Sequence, residues 1–305
     1  MYRMSLIHMF WRSGIIVNKI FCFGLGFSGI EIAKYFLKEN WSVTGTMRNP
    51  TQELQNNIRL VKYDPIQTRI DLSNELEGVH TVIVTISPND DGDIVLNYNY
   101  QDMVSSLSSI KRIIYLSSTS VYGNTDGRVV YEHSAINPQS IMALNRRKAE
   151  EQWTEFGLKY SIPLDILRLS GIYGKGRNQI RYLLNGSARR IIKEGHLSNR
   201  IHVADIAKIV YQLTQLNHGS EIFNISDDLP SPSNTVIEYA AELLKIKPPE
   251  PLLFENAELS NKVRVFYLNN RIVNNDKIKK TLNYNFKYPN YKIGLKSLID
   301  IELND

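Results

Sequence analysis

Residues 19–29 read KIFCFGLGFSG, and this stretch determines which fold the chain of 305 residues can adopt. A short apolar run leads into Gly24, Gly26 and Gly29, and apolar residues then recur at helical spacing. A strand, a glycine turn and a helix in this order form the context in which a GxGxxG motif binds a dinucleotide. Gly24 permits the tight turn, Gly26 lets the backbone approach a pyrophosphate, and Gly29 lets the helix pack closely on the strand. The diphosphate then meets free backbone N–H groups at the helix N-terminus.

The end of the second predicted strand, residues 42–46, indicates which dinucleotide is bound. Arg48 lies 19 residues after Gly29, where an acidic side chain would hold the ribose 2′-hydroxyl of NAD. A guanidinium group instead matches a 2′-phosphate by charge and by paired hydrogen bonds. We therefore predict a preference for NADP, with NAD as the alternative cofactor. The competing interpretation of Arg48 is a solvated surface arginine.

Strand and helix patterns alternate through the first half of the chain, as βαβ units require. This alternation predicts an α/β fold, a doubly wound parallel sheet of the Rossmann type with right-handed crossovers. The further strands are predicted at residues 58–63, 81–86, 112–116, 163–169 and 221–225. The helices after the first are predicted at residues 51–55, 70–76, 94–109, 142–160, 202–216 and 233–244.

The pattern changes after Gly171, which divides the chain into three predicted parts. We predict an N-terminal extension at residues 1–17, an NAD(P)-binding domain at residues 18–170, and a substrate-side region at residues 171–305 that is partly interleaved with the sheet. Residues 1–17 contain no run long enough to span a bilayer and lack the order of a signal peptide. They are interpreted as a disordered extension or a misassigned start.

The composition bears on which classes of partner the protein binds and on the redox state of its surroundings. The net charge is +5, but the basic residues are scattered, which argues against nucleic acid as a partner and suits a phosphate-bearing cofactor. Cys22 is the only cysteine, so no intramolecular disulfide can form, and a cytoplasmic location without membrane attachment is expected. Its alternation with Phe21 and Phe23 predicts a small core residue rather than a nucleophile. The isolated histidines give no metal-binding pattern.

Four further motifs occur along the chain, and the first two lie at the ends of predicted strands. They are YLSSTSVYG at residues 115–123, LRLSGIYG at 167–174, RIHVAD at 200–205 and FNISD at 223–227. With the glycine motif and Asp64, these stretches resemble the extended short-chain dehydrogenase/reductase family, of the NAD-dependent epimerase/dehydratase kind. The resemblance covers most of the chain from Lys19 onward. Within the family, RIVNN at residues 271–275 and YPNYKIGL at 288–295 are most similar to the atypical YeeZ-type oxidoreductases.

This resemblance implies a set of site residues. The diphosphate and adenosine side of NAD(P) would be held by Gly24, Gly26, Phe27, Ser28, Gly29 and Arg48, with Asp64 facing the adenine. Thr85 and Ser87 would lie beside the nicotinamide-side ribose. Ser118 would orient the carbonyl or hydroxyl group of the substrate. The substrate would be bordered by Ser170, Tyr173, Arg177 and His202.

The proton-transfer pair of the wider family is missing. That family uses Tyr-x-x-x-Lys on one helical face, where the ammonium lowers the pKa of the phenol. The matching positions here are Met142 and Arg146. Met142 cannot transfer a proton, whereas Arg146 keeps a charge that can contact a ribose or phosphate. Of the 17 tyrosines only Tyr288 precedes a lysine by four residues, outside the required context.

Other side chains can be considered as proton donors. Tyr122 and Tyr173 lie in loops at the ends of predicted strands, the edge where open α/β sheets bind ligands. By the family resemblance, His202 is the best-placed imidazole, and an imidazole can titrate near neutral pH. Each has an equally simple structural interpretation as a packing or loop-holding residue.

The sequence thus predicts an NAD(P)(H)-dependent oxidoreductase acting on a small metabolite, as a monomer or homodimer. One alternative is a nucleotide-sugar epimerase or dehydratase, which depends most on the missing tyrosine. The other is a non-catalytic NAD(P)-binding regulatory or scaffold protein. Fold alone does not choose among these three, and whether the protein turns over a substrate stays open.

Overall fold

The structure, a computed structural model, describes residues 18–50 and 58–304. Its strands are β1 (Lys19–Phe23), β2 (Ser42–Met47), β3 (Arg59–Lys62), β4 (Thr81–Val84), β5 (Arg112–Ser118), β6 (Val129–Val130), β7 (Leu164–Leu169), β8 (Gly171–Tyr173), β9 (Ile191–Ile192), β10 (Arg200–His202), β11 (Glu221–Ile225), β12 (Leu252–Leu253) and β13 (Ile272–Val273). Its α-helices are α1 (Phe27–Lys38), α2 (Ser73–Leu76), α3 (Ile94–Ser105), α4 (Ile141–Tyr160), α5 (Gln179–Leu184), α6 (Val203–Thr214), α7 (Ser233–Leu244), α8 (Asn261–Leu268), α9 (Asp276–Leu282) and α10 (Tyr291–Leu303).

A seven-stranded sheet in the order β11-β7-β5-β4-β1-β2-β3 forms the centre of the fold. Every pair of neighbouring strands in this sheet is parallel. The strand order reverses beside β1, which pairs with β2 on one side and β4 on the other. Ligands of open α/β sheets bind outside the carboxyl ends of the strands at such a reversal. The predicted doubly wound α/β fold is therefore confirmed.

The central strands are apolar because both faces of the sheet are covered. Ile20 and Cys22 of β1 face a core formed with α1 and α6, whereas Phe21 and Phe23 face a core formed with α3 and α4. This alternation follows from the two-residue period of a strand. Burial raises the pKa of the Cys22 thiol to about 12. The thiol is therefore protonated at neutral pH, as a core residue rather than a nucleophile.

Some predicted elements are longer than the observed ones. The helix predicted at 94–109 ends at Ser105, where the hydroxyls of Ser105 and Ser106 both bond to Asp102 O and compete with the helical pattern. The helix predicted at 70–76 is the single turn Ser73–Leu76. The strand predicted at 81–86 ends at Val84, and the chain then turns toward the glycine loop.

The second half of the chain contributes to the central sheet and covers its carboxyl edge. Strand β11 extends the sheet beside β7, while three small parallel pairs, β8–β10, β9–β12 and β6–β13, lie outside it. Helices α5, α7 and α10 share an apolar cluster of their own. The boundary at residue 170 stays a prediction. The predicted extension at residues 1–17 and helix at 51–55 lie outside the described residues.

Candidate functional site

The turn after β1 has the geometry that a dinucleotide-binding loop needs. Gly24 has a φ of +98°, and a Cβ atom there would lie 2.7 Å from Oγ1 of Thr85. Its amide donates a hydrogen bond to Oγ1 of Thr46 at 2.9 Å, and the Thr85 hydroxyl donates to its carbonyl. Residues from β2 and the loop after β4 thereby fix the turn, and only glycine satisfies both its φ and its neighbours.

The other two glycines of the motif differ in their surroundings. A Cβ atom on Gly29 would lie 2.1 Å from Gly24 O, so this glycine is required for the close packing of α1 on the turn. A Cβ atom on Gly26 would meet nothing within 4 Å. Helix α1 begins at Phe27 with no side-chain cap and no acidic residue in its first turn. Its first N–H groups are therefore available to an anionic ligand.

Two cavities meet at Gly26 along the carboxyl edge of the sheet. The larger has a volume of about 560 Å³ and the smaller about 210 Å³. Of the predicted site residues, the larger cavity brings together Gly26, Phe27, Ser28, Thr85, Ser87, Ser118, Arg146, Ser170 and Arg177, and Met142 also lines it. The smaller brings together Gly24, Gly26, Arg48 and Asp64. Gly29, in the first turn of α1, lines neither cavity and instead packs against the carbonyl oxygen of Gly24.

The smaller cavity contains one charged pair. The Arg48 side chain is 70% exposed, and its Nε lies 4.0 Å from Oδ2 of Asp64. Asp64 follows β3, and Arg48 follows β2, so the two side chains meet because their strands are adjacent and parallel. This arrangement offers a cation and a hydrogen-bond acceptor beside the glycine turn.

The larger cavity is cationic. Arg146, Arg177 and Arg271 line it, and no carboxylate, imidazole, phenol, thiol or lysine ammonium group does so among the described residues. Its other polar groups are hydroxyls and amides. The hydroxyls belong to Ser28, Thr85, Ser87, Ser117, Ser118, Thr119, Ser120, Ser140, Ser170 and Ser198, and the amides to Gln139, Asn199 and Asn269. Such a lining suits an anionic ligand that carries hydroxyl groups.

Arg271 is a cavity residue that the sequence did not single out as a site residue. Burial lowers its pKa to about 10, and its Nη1 donates to Gly123 O at 2.9 Å. The sequence signal was its position at the start of RIVNN, which served only to support the family resemblance. The next two residues form β13, whose pairing with β6 brings Arg271 over the sheet edge.

Two serines present hydroxyl groups to the larger cavity in different ways. Ser118 Oγ accepts a hydrogen bond from Ser120 N at 3.1 Å, which leaves its O–H free to donate. Ser170 is 5% exposed, and its Oγ has no hydrogen-bond partner among the described residues. A buried hydroxyl without a partner carries a desolvation cost that a bound ligand would relieve.

Met142 and Arg146 both reach the larger cavity from the first turns of α4. Met142 is 58% exposed. Arg146 Nη1 donates to the Tyr115 hydroxyl and to Leu116 O, both at 3.0 Å, and Nη2 lies 3.4 Å from Ser87 Oγ. Arg146 therefore ties the ends of β4 and β5 together while its charge faces the cavity.

Tyr173 and His202 are not among the residues that line either cavity. The Tyr173 hydroxyl lies 3.4 Å from Asn290 O, and burial raises its pKa. His202 Nδ1 accepts a hydrogen bond from Ala204 N at the start of α6, and its ring centre lies 3.9 Å from that of Tyr288, with the two rings tilted by 37°. Burial and the nearby Lys287 charge lower the pKa of His202 to about 4. In the described structure these two side chains hold loops behind the cavity.

Tyr122 is likewise a packing residue in the described structure. It is 1% exposed, and its hydroxyl donates to Asn224 Oδ1 at 2.7 Å. Arg168 donates to the same hydroxyl at 3.0 Å.

Within residues 18–50 and 58–304, no three His, Cys, Asp or Glu side chains form a group that could hold a metal ion. No helix of this part of the chain is long and apolar enough to cross a membrane.

Comparison with known proteins agrees with this geometry. The sequence profile of the NAD-dependent epimerase/dehydratase family matches residues 24–226. Protein YeeZ of Escherichia coli K12 is 27% identical over 291 residues, which are 90% of this chain and 97% of YeeZ. A conserved protein of unknown function from Silicibacter pomeroyi has a solved structure that is 33% identical, with a TM-score of 0.86, covering 93% of this chain and 99% of that chain.

A more distant solved structure shares the fold. It is the UDP-glucuronic acid 4-epimerase of Bacillus cereus in complex with UDP-glucuronic acid and NAD, 19% identical with a TM-score of 0.74, covering 94% of this chain and 99% of that chain. The profile match begins at the first glycine of the motif and ends just after β11, so it includes the whole central sheet apart from β1. The glycine turn, the cleft over the strand ends and this match lead to one conclusion. The chain belongs to the NAD-dependent epimerase/dehydratase family.

Proposed function

We propose that this protein is an NADP(H)-dependent oxidoreductase that acts on a small anionic metabolite bearing hydroxyl groups. The observation that carries the proposal is the cleft over the strand ends. Its smaller cavity holds Arg48, its larger cavity holds three arginines without a carboxylate among the described residues, and the two meet at Gly26. NADP(H) would extend from the smaller cavity across the shared loop into the larger cavity, and an anionic substrate would occupy the rest of the larger cavity.

The residues of the cleft fit a dinucleotide along its length. The adenosine half would occupy the smaller cavity, with its 2′-phosphate beside Arg48. The diphosphate would cross the open face of Gly26 and meet the free N–H groups of α1. The other ribose would reach Thr85 and Ser87 in the larger cavity. The nicotinamide ring supplies hydride transfer when it is bound.

The chain's own residues would orient and stabilise the substrate. Ser118 would donate its hydroxyl proton in a hydrogen bond to the reacting oxygen, and the charge of Arg146 would stabilise negative charge that develops there. Arg271, which is partly buried, would hold the anionic group of the substrate. Because no titratable acid or base lines the described cavity, we assign proton exchange to solvent rather than to a side chain.

The proposal is tested first by binding and then by turnover. Fluorescence titration with NADPH and NADH, on the wild type and on Arg48→Ala, measures the cofactor preference. We expect tighter NADPH binding that Arg48→Ala removes, followed by NADPH oxidation with at least one member of a panel of phosphorylated or carboxylated carbonyl compounds. Absence of binding of either dinucleotide would overturn the proposal.

A nucleotide-sugar epimerase or dehydratase is the second candidate. The volume of about 560 Å³ and the three arginines suit a diphosphate-linked sugar. The epimerase of Bacillus cereus, with the same fold, is solved with UDP-glucuronic acid and NAD. The position of Met142 argues against this reaction, because epimerisation requires reversible proton transfer. Incubation with UDP- and dTDP-sugars, followed by NMR of the sugar, separates this candidate from net oxidation or reduction.

A non-catalytic dinucleotide-binding protein is the third candidate. It is favoured by the same Met142 and by the lack of a titratable side chain among the described cavity residues. Tight dinucleotide binding with no turnover across both substrate panels would support it.

A further inference from the structure

A glutamate near the C-terminus holds the loop between β8 and α5. Glu302 of α10 is 2% exposed. Its Oε1 accepts from Gly176 N and from Asn178 Nδ2, both at 2.6 Å, and its Oε2 accepts from Arg181 Nε at 2.6 Å. All three donors lie in residues 176–181. One carboxylate therefore fixes this segment from a helix more than a hundred residues later in the chain.

The loop itself is a tight turn whose exit carries Arg177. Gly174 and Arg177 exchange both backbone hydrogen bonds, at 3.1 and 3.0 Å, and Gly176 has a φ of +73°. Asn178 Nδ2 also donates to Gly174 O at 2.7 Å. The backbone direction at Arg177 is thus set on both sides by residues that contact Glu302.

Arg177 reaches the glycine motif. Its Cζ lies 5.4 Å from the centre of the Phe27 ring, and Phe27 is the first residue of α1. Both residues line the larger cavity together with Gly26 and Ser28. Arg177 has no ion pair among the described residues, although it lies beside a helix N-terminus, which is itself positive. Arg177 is exposed, and an anion between its guanidinium and the N–H groups of α1 would interact favourably with both.

We infer that Arg177 binds the diphosphate of the dinucleotide from the second half of the chain, and that Glu302 is the residue that positions it. This inference rests on the proposed dinucleotide site. It changes the expected role of Arg177 from bordering the substrate to holding the cofactor. It also makes cofactor affinity depend on the docking of α10, which packs so closely that a Cβ atom on Gly294 would collide with the Tyr173 side chain.

The first experiment measures binding of NADPH and of ADP-ribose by calorimetry with the full chain. ADP-ribose contains the diphosphate but neither the nicotinamide ring nor any substrate. Arg177→Ala is expected to weaken both ligands about tenfold, the scale of a charge-assisted hydrogen bond to a phosphate. Arg189→Ala removes an exposed arginine that bonds to Glu258 O outside both cavities, and it is the matched control. Unchanged ADP-ribose affinity in Arg177→Ala would overturn the inference.

The second experiment tests the positioning role by a double-mutant cycle. Glu302→Gln is expected to weaken ADP-ribose binding several-fold, and to weaken it no further once Arg177 is already alanine, because coupled residues are not additive. Equal effects of Glu302→Gln in both backgrounds would refute the positioning role. If thermal unfolding shows that the glutamine variant does not fold, Glu302→Asp, which keeps the charge on a shorter side chain, replaces it in the cycle. A wild type that binds neither ligand would instead contradict the proposed function.

Discussion

Arg146 Nη1 lies 3.0 Å from the hydroxyl of Tyr115, a residue buried in the middle of β5. The same nitrogen donates to Leu116 O, and the guanidinium lies 5.6 Å from the Tyr115 ring centre. Arg146, which the sequence resemblance aligns with the lysine of the family's proton-transfer pair, is therefore bonded to the carboxyl end of the sheet. It stabilises the wall of the larger cavity whether or not it also contacts a ligand.

The first prediction concerns this pair. Arg146→Met removes the donor and leaves the buried Tyr115 hydroxyl and Leu116 O short of a partner, which is expected to cost about 1–3 kcal/mol of stability. Tyr115→Phe removes the hydroxyl itself and is expected to cost less, because Arg146 keeps its bond to Leu116 O. Urea unfolding of the two variants measures both values. Equal stability of wild type and Arg146→Met would contradict the assigned role.

The second prediction separates two glycines of one motif. Gly29→Ala places a methyl group 2.1 Å from Gly24 O, where the fixed turn cannot yield, and is expected to destabilise the fold by about 1–3 kcal/mol. In Gly26→Ala the added methyl group has no atom within 4 Å, and the φ of −86° at this position suits any residue. The free energy of unfolding of this variant is therefore expected to stay within about 0.5 kcal/mol of the wild-type value. Its methyl group nevertheless occupies the path of the diphosphate, and dinucleotide affinity is expected to fall. Calorimetric titration and urea unfolding on both variants separate the two effects. Unimpaired binding by Gly26→Ala would show that the diphosphate lies elsewhere.

The third prediction concerns cofactor preference. Arg48 is mostly exposed and only 4.0 Å from Asp64 Oδ2, so its charge is partly offset before a cofactor arrives. Arg48→Ala is expected to weaken NADPH about tenfold, as for loss of one charge-assisted contact, and to leave NADH affinity nearly unchanged. Fluorescence titration measures both. Arg147→Ala, which removes an arginine paired with Glu151 on α4, is the control for a general charge effect. An equal loss for NADPH and NADH would refute the proposed 2′-phosphate contact.

The sequence predicted the sheet well because its determinants are local. The strand after Gly78 is apolar on both faces, and Gly24 and Gly29 are required by a φ or a contact within the turn itself. Helix ends were predicted less well, since serine side chains at 105 and 106 bond to the backbone in a way that apolar periodicity does not reveal.

The cavity wall was harder to predict because it depends on contacts between distant parts of the chain. Arg271 reaches the site through the pairing of β13 with β6, more than 140 residues earlier. Tyr173 and His202 are the last residues of the short strands β8 and β10, yet their side chains turn toward α10 and Tyr288. Position after a strand determines which edge a residue occupies, and only packing determines which way its side chain points.

The fourth prediction is a pH dependence of stability. His202 is 5% exposed, and its folded-state pKa is about 4, below the ordinary value of 6.5. Between these two pH values the imidazole is protonated in the unfolded chain but stays neutral in the folded chain. The free energy of unfolding therefore decreases as the pH falls from about 6.5 to 4. The full effect is about 3 kcal/mol for a shift of this size.

His202→Asn tests this contribution, because asparagine can still cap α6 but does not titrate. We expect the stability of the wild type relative to His202→Asn to fall as the pH is lowered from 7 to 4.5, measured by urea unfolding at several pH values. A difference that is constant with pH would show that the imidazole is not held neutral by burial.

The fifth prediction asks whether the missing proton-transfer pair limits the chemistry. Met142 and Arg146 lie one helical turn apart on α4, and both line the larger cavity. The double variant Met142→Tyr with Arg146→Lys places a phenol and an ammonium group on that face, where the charge can lower the pKa of the phenol. The lysine loses the paired contacts to Tyr115 and Leu116, so some stability is expected to be lost. If the cleft is otherwise competent, the variant is expected to turn over the substrate panel faster than the wild type, because a phenol next to an ammonium group delivers a proton faster than solvent does. The single variant Met142→Phe, which fills the same space without a hydroxyl, is not expected to gain. Equal rates in the wild type and in both variants would contradict the prediction and would show that proton transfer does not limit the reaction.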